Sequence, residues 1–232
     1  MKEFFSEAGI EINETQEKKF QKLLEIFKIE NGKINLSSFN DDKNIIIKHF
    51  VDSLLPCRHM TFSSAKNLVD LGTGSGFPGL ALAIMLPQIQ CILIDSVQKK
   101  IDAVERMAQF SGIKNVEVLC ERIEAVGQNK KFRERFDIVT ERALAKVSTM
   151  LEYCLPLAKI NGMLIAYQTQ ESTHEFEEKK DVLEMLGGKI ESEKEFFLPQ
   201  NTGKRKIFFI KKIFHTKNIF PRKIGEPKNK PL

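Results

Sequence analysis

NLVDLGTGSGFPG, residues Asn67 to Gly79, decides the fold. Its first five residues form a short apolar run, the pattern of a buried strand. Three glycines follow, Gly72, Gly74 and Gly76, and Pro78 then opens a helix that ends at Pro87. Glycine has no Cβ, so it tolerates positive φ and lets the backbone approach a ligand closely. The helix start beyond it offers unpaired N–H groups. Gly74-x-Gly76-x-x-Gly79 also satisfies the dinucleotide pattern G-x-G-x-x-G, which is weak alone. Asp70 separates the two readings. An acid two residues before the first glycine is expected to help hold the cationic amino group and sulfonium of S-adenosylmethionine, and it would repel a pyrophosphate.

The alternation continues toward the C-terminus. CILID (91–95) reads as a second strand, followed by a helix capped by Ser96 and closed near Gly112. NVEVL (115–119), FDIVT (136–140) and GMLIAY (162–167) read as further strands, with helices over residues 147–157 and from about Ser172 to Leu186. Two last strands, near 189–198 and 205–214, flank the hairpin loop PQNTG. The predicted fold class is α/β: a doubly wound, mostly parallel sheet with helices on both faces and an antiparallel strand at or near one edge. Ligands of such sheets bind outside the carboxyl ends of the strands.

Residues 1–60 read as a helical N-terminal extension. Phe20, Leu23, Leu24 and Phe27 recur at helical spacing behind an N-cap at Asn13 or Thr15. A second helix starts after Asn40, with Asp41 and Asp42 in its first turn, and is expected to stop at Pro56. The core then spans 61–214, and 215–232 reads as a loose basic tail.

Composition narrows the class. The 232 residues are 42% hydrophobic and 29% charged, ordinary for a soluble globular chain. No apolar run approaches the ~20 residues a membrane span needs, and MKEFFSEAGIEIN has no signal-peptide core, so a cytoplasmic location is expected. Cys57, Cys91, Cys120 and Cys154 never form C-x-x-C, and His49, His59, His174 and His215 join them at no ligand spacing, so no metal is expected. Residues 203–232 hold eight lysines and two arginines against one acid, Glu226. That is +9 in a chain of net charge +5, which leaves −4 for the first 202 residues. A basic terminus on a mildly acidic body suits a polyanion, or is merely a solvated end.

Four positions carry candidate chemistry. Asp95 closes the second strand, where a carboxylate can accept from both ribose hydroxyls of an adenosine. CERIE follows the third strand; Ile123 is placed to cover an adenine face and Glu124 to meet the exocyclic amine, although a plain helix start reads as well. Arg142, just past the fourth strand, can hold a phosphate or base edge in a bidentate fork, or form an ion pair with Glu141 or Asp137. Gly74 would bring backbone close to the ligand. The proline–aromatic signature of amine methylation is missing from TERAL, and Cys154 falls within a helical run rather than at the sheet edge. Guanine N7 needs neither base nor covalent intermediate, only alignment, which can supply up to ~7–11 kcal/mol. A nicotinamide-dependent oxidoreductase would share Asp95 and the glycines but lacks a hydride-relay residue. A non-catalytic RNA-binding module would leave the glycine turn empty.

Over nearly its full length the chain resembles the bacterial small-subunit ribosomal RNA guanine-N7 methyltransferases, the RsmG or glucose-inhibited division protein B family. The stretches that carry the resemblance are KINLSS (33–38), IKHFVDSL (47–54), DLGTGSGFPGLALAI (70–84), IDS (94–96), ERIE (121–124), TERALA (140–145) and FPRKIGEPKNKPL (220–232). It implies a seven-stranded sheet, S-adenosylmethionine as cofactor, and 16S ribosomal RNA or the small ribosomal subunit as partner. It also implies cofactor contacts at Gly72, Phe77, Ile123, Glu124 and Arg142, beside Gly74 and Asp95 from the physical reading. Asn35, His49 and Asp52, in the matching N-terminal stretches, would border the acceptor base. Many members carry a lysine after the fifth strand where this chain has Gln168; if that lysine holds RNA phosphate, the role is expected to pass to Lys146 or the tail.

Overall fold

The computed structural model describes residues 1–168 and 172–232, so Thr169 and Gln170 of the AYQTQ stretch lie outside the described residues. Seven strands, β1 (Asn67–Leu71), β2 (Gln90–Asp95), β3 (Val116–Cys120), β4 (Phe136–Arg142), β5 (Ala158–Gln168), β6 (Gly188–Phe197) and β7 (Lys204–Lys212), form one sheet in the order β3-β2-β1-β4-β5-β7-β6. Pairing is parallel from β3 to β5, while β7 runs antiparallel to both β5 and β6. The chain leaves β1 in one direction and returns as β4 on its other side, which opens a crevice above their carboxyl ends. β1 and β4 are buried almost end to end, as strands covered on both faces must be.

Helices α1 (Lys2–Glu7), α2 (Glu14–Ile34), α3 (Asp42–Ile45) and α4 (Asp52–Leu54) share one apolar cluster with α5 (Gly79–Met85), α6 (Gln98–Phe110) and one sheet face. Asn13 caps α2 in a reciprocal capping box with Gln16. Glu30 of α2, 1% exposed, is bound by Arg106 of α6 at 2.6 Å and by Lys33 at 2.8 Å, so a buried charge is paired across the extension and the core. The opposite face carries α7 (Ile123–Gln128), α8 (Val147–Cys154), α9 (Ser172–Glu178), α10 (Lys180–Met185) and the C-terminal segment with α11 (Glu226–Asn229).

Three expectations need correction. The helix expected to stop at Pro56 continues from α3 through a π-helical turn, Ile46–Val51, then α4 and a 3-10 turn, Leu55–Arg58. Pro56 is tolerated because it enters at the start of the new turn, where an N–H has no partner to lose. The helix after β2 is not capped by Ser96: Asp95 itself accepts from Val97 N–H at 3.0 Å. The tail is not loose. Phe220 is buried, Arg222 forks onto the fully buried Glu152 at 2.6–3.2 Å, and Thr149 donates to the Pro227 carbonyl at 2.9 Å. Arg133 meanwhile donates to the carbonyls of Thr216, Lys217 and Phe220. The segment is a strap across α7 and α8, fixed by one aromatic ring and one buried ion pair that a charge count overlooks.

Two paired cavities at the strand ends

The glycine turn is built around Asp70, and this overturns the role expected of it. Asp70 is 0% exposed and accepts from the Thr73 hydroxyl at 2.7 Å, the Thr140 hydroxyl at 2.8 Å and Gly79 N–H at 3.0 Å. Burial pushes its carboxyl up to about 6, and these donors work against that shift. It therefore sews the turn together and is sealed from the space above it. A Cβ at Gly79 would lie 2.6 Å from Leu93 and 2.9 Å from the Asp70 carboxylate, so only glycine lets α5 approach β2 this closely.

Above the turn lies a cavity of about 270 Å³ lined by Gly72, Asp95, Ser96, Arg122, Ile123, Glu124, Ala143, Leu144, Tyr153 and Lys228. Four of the seven expected cofactor contacts, Gly72, Asp95, Ile123 and Glu124, thus share one wall. Gly72 adopts φ +64°, and a side chain there would collide with Leu144. Gly74 is represented by its backbone, whose N–H donates to Asp95 at 3.0 Å. With Val97 N–H on the other oxygen, the Asp95 carboxylate is fixed in place and keeps acceptor capacity for vicinal hydroxyls. Glu124 accepts from the Tyr153 hydroxyl at 3.2 Å and from Gly225 N–H at 2.8 Å, so the C-terminal strap closes this end of the cavity.

A second cavity, also about 270 Å³, adjoins the first at Ala143 and is lined by Phe39, Lys48, His49, Asp52, Arg142, Ala143, Tyr167, Gln168 and Arg205. Ala143 turns the chain between them at φ +55°, a costly conformation for a residue with a Cβ. Arg142 belongs here rather than with the first cavity. Its Nη1 donates to the Lys48 carbonyl at 3.1 Å and to Asp52 at 3.4 Å, and its Nη2 to His49 Nδ1 at 3.2 Å. Neither Glu141 nor Asp137 is its partner: Asp137 pairs with Lys159. Burial and the neighbouring Arg142 push His49 down to about 3, so the ring is neutral. Since Nδ1 accepts from Arg142, Nε2 carries the proton and donates to Ser37 at 2.8 Å. Phe77 stacks on that ring at 5.0 Å and 11° and is itself buried, so its side chain backs the wall from beneath. Asn35, the left-handed C-cap of α2, lines neither cavity.

Sequence reading missed Tyr153, Lys228, Phe39, Lys48 and Arg205. One signal was available: the chain has two tyrosines, and each lines one of these cavities. A larger cavity, about 640 Å³, lies elsewhere, between α9, α10 and the faces of β6 and β7 rather than above the strand ends. Among the described residues no group of three or more His, Cys, Asp or Glu side chains could hold a metal, and no helix is long and apolar enough to cross a membrane.

Glu141, next to Arg142 in sequence, is fully buried and accepts from Gln168 at 2.7 Å and from Leu144 N–H at 3.3 Å. Burial pushes it up to about 8. A carboxyl raised above its unfolded value of about 4.5 contributes stability that is complete below that value and is lost as pH rises through about 8. Glu141→Gln, read by thermal melts from pH 6 to 9, should therefore stabilise the chain increasingly with pH, by on the order of 1–3 kcal/mol at the top. A pH-independent difference would refute the buried charge.

The family model for GidB, rRNA small subunit methyltransferase G, matches residues 16–215. The chain belongs to this family. A ribosomal RNA small subunit methyltransferase G from Geobacillus sp. (strain WCH70) is 38% identical over 226 residues, 97% of this chain and 95% of the relative. The protein of that name from Staphylococcus epidermidis (strain ATCC 35984) is 35% identical across 100% of this chain and 97% of its own. Among solved structures, a 16S rRNA adenine-N1 methyltransferase from Catenulisporales acidiphilia, with its cosubstrate S-adenosylmethionine, superposes with TM-score 0.52 at 16% identity over 65% of this chain and 86% of its own. A chain from the complex between the Haloferax volcanii Trm112 methyltransferase activator and its partner protein gives TM-score 0.56 at 14% identity, over 75% and 93% of the two chains. These likenesses establish the methyltransferase fold. Family membership makes the chain an S-adenosylmethionine-dependent ribosomal RNA methyltransferase.

Proposed function

We propose that the chain transfers a methyl group from S-adenosylmethionine to N7 of a guanine in 16S ribosomal RNA, free or within the small ribosomal subunit, in the cytoplasm. The observation that carries this reading is the pair of cavities meeting at Ala143. The first fits the cofactor: Asp95 for the ribose hydroxyls, Ile123 and Tyr153 flanking the adenine, and Gly72 and Gly74 for the close backbone approach. Phe77 supports the wall through His49. The second takes the acceptor base, with Arg142 at the junction.

Guanine N7 bears an in-plane lone pair, so the chemistry asks nothing of a general base. The lone pair forms a bond to the methyl carbon as the carbon–sulfur pair returns to sulfur, giving a cationic 7-methylguanine and a neutral thioether. The protein's part is to align these atoms and exclude water. His49, whose one ring lone pair at Nδ1 accepts from Arg142, and fully buried Cys154, its thiol pushed far up by burial, add no competing nucleophile. The major groove of A-form RNA is deep and narrow, so N7 is reached in a loop or splayed base. Labelled-methyl transfer to naked 16S RNA, to small subunits and to a featureless duplex tests this. Incorporation into the first or second supports it, and incorporation into the duplex alone refutes it.

A further inference from the structure

Three cations, Lys48, Arg142 and Arg205, line the second cavity beside one carboxylate, Asp52. Arg205 Nε reaches both oxygens of Asp52, at 2.9 and 3.1 Å, and Arg142 Nη1 adds a contact at 3.4 Å. Asp52 is 1% exposed, so its charge is committed to these two guanidinium groups. The nearby acids do not balance the rest. Glu141 is held from below by Gln168 and Leu144, while Glu193 and Glu195 pair with Lys206 and Lys204. His49 is neutral. The cavity therefore carries an excess of positive charge on its walls.

Two of these cations hold donors without an acidic partner among the described residues. Lys48 bonds through Nζ to the Thr202 carbonyl and to no carboxylate. Arg205 uses Nε on Asp52 and Nη1 on the Lys204 carbonyl at 3.0 Å, leaving Nη2. Half-burial and the neighbouring Arg205 pull the Lys48 amine down, the expected behaviour of a cation facing a cation in a partly desolvated wall. An anion between them relieves that repulsion. Beside them Phe39 meets His49 edge-on at 5.6 Å, an aromatic border suited to a base.

We propose that Lys48 and Arg205 grip the backbone phosphate of the nucleotide whose base enters the second cavity. The assignment rests on the methyl-acceptor reading above. Both side chains line this cavity and not the first, so their anion is the acceptor's rather than the cofactor's carboxylate. The phosphate role sought at Gln168 is thus met by residues far from it in sequence. Lys146 is an exposed residue at the start of α8 and lines neither cavity, and the strap's Lys228 faces the first.

The test uses the full-length protein and a fluorescently labelled fragment of 16S RNA that the wild type methylates. Binding is followed from 50 to 300 mM salt for wild type, Lys48→Gln, Lys48→Arg and Arg205→Gln, with S-adenosylmethionine affinity measured by calorimetry. Each loss variant should bind RNA about 5–10-fold more weakly and lower the log–log salt slope by about 0.7–1, with cofactor affinity retained and Lys48→Arg restored. An unchanged affinity and slope in Lys48→Gln overturns the proposal even if Arg205→Gln proves unstable. Loss of cofactor affinity in Lys48→Gln overturns it too, by moving the cations to the cofactor's carboxylate. A wild type that methylates no RNA removes the acceptor reading itself, which keeps the two failures apart.

Discussion

Asp95→Ala should weaken S-adenosylmethionine binding at least about 100-fold. The carboxylate is held by Gly74 N–H and Val97 N–H at 3.0 Å each, so it presents to the cavity without rearrangement. Two ribose hydroxyls bonding to a charged acceptor contribute about 1.5–3 kcal/mol each, and every 1.4 kcal/mol is tenfold in affinity. The substitution also orphans two backbone donors, at about 1–3 kcal/mol of stability, so circular dichroism must show the variant folded at the assay temperature. Asp95→Asn keeps one acceptor oxygen and should fall between. Calorimetric titration decides it: a folded Asp95→Ala with wild-type affinity would remove the ribose anchor from the first cavity. NAD titrated in parallel should give no heat.

The largest effect on stability is expected at Arg222→Ala. Glu152 lies 0% exposed beneath the strap, and Arg222 meets both its oxygens, with the Arg222 backbone N–H adding a bond at 2.8 Å. Removing the cation leaves a buried, unbalanced charge, at a cost of about 3–5 kcal/mol. For a chain of this size that lowers Tm by roughly 6–20 °C. Replacing Glu152 by Gln in the same variant should recover much of the loss, because the unbalanced charge is then gone. The effect reaches the site as well, since the strap supplies Gly225 N–H to Glu124 and Lys228 to the first cavity. A scan in which Arg222→Ala melts like wild type would show that the strap is not anchored by this pair.

The elements most legible in the sequence were those where one local rule decides. An apolar run into glycines and a proline leaves little choice but a strand, a turn and a helix, and β1 falls on the residues expected of it. The acid at the end of β2 was legible for the same reason, because a strand end at the carboxyl edge opens onto the crevice, and Asp95 lines the first cavity. Asp70 was not. Strand periodicity says that its side chain leaves one face, but not that Thr73, Thr140 and Gly79 wait there to enclose it. Arg142 was legible as a strand-end residue and lines the second cavity, while its partners Asp52 and His49 lie some 90 residues away and only the fold brings them near. Lys48 and Arg205 were hidden in the same way, 157 positions apart, inside a helix and a strand whose charges read as ordinary surface. The strap was misread because its lysines dominate its composition, whereas its placement rests on Phe220 and on Arg222, whose acid lies in α8.

The central claim is that the base above Ala143 is a guanine attacked at N7. 7-Methylguanine carries a positive charge that makes its ring reducible by borohydride, after which aniline cleaves the chain at that nucleotide. 16S RNA lacking the modification should be incubated with the enzyme and labelled S-adenosylmethionine, then treated and mapped by primer extension. The expected result is label incorporation together with a new cleavage at one guanine, dependent on both enzyme and cofactor. Incorporation of label with no cleavage at any guanine would contradict the claim, because the methyl group would then sit on another atom.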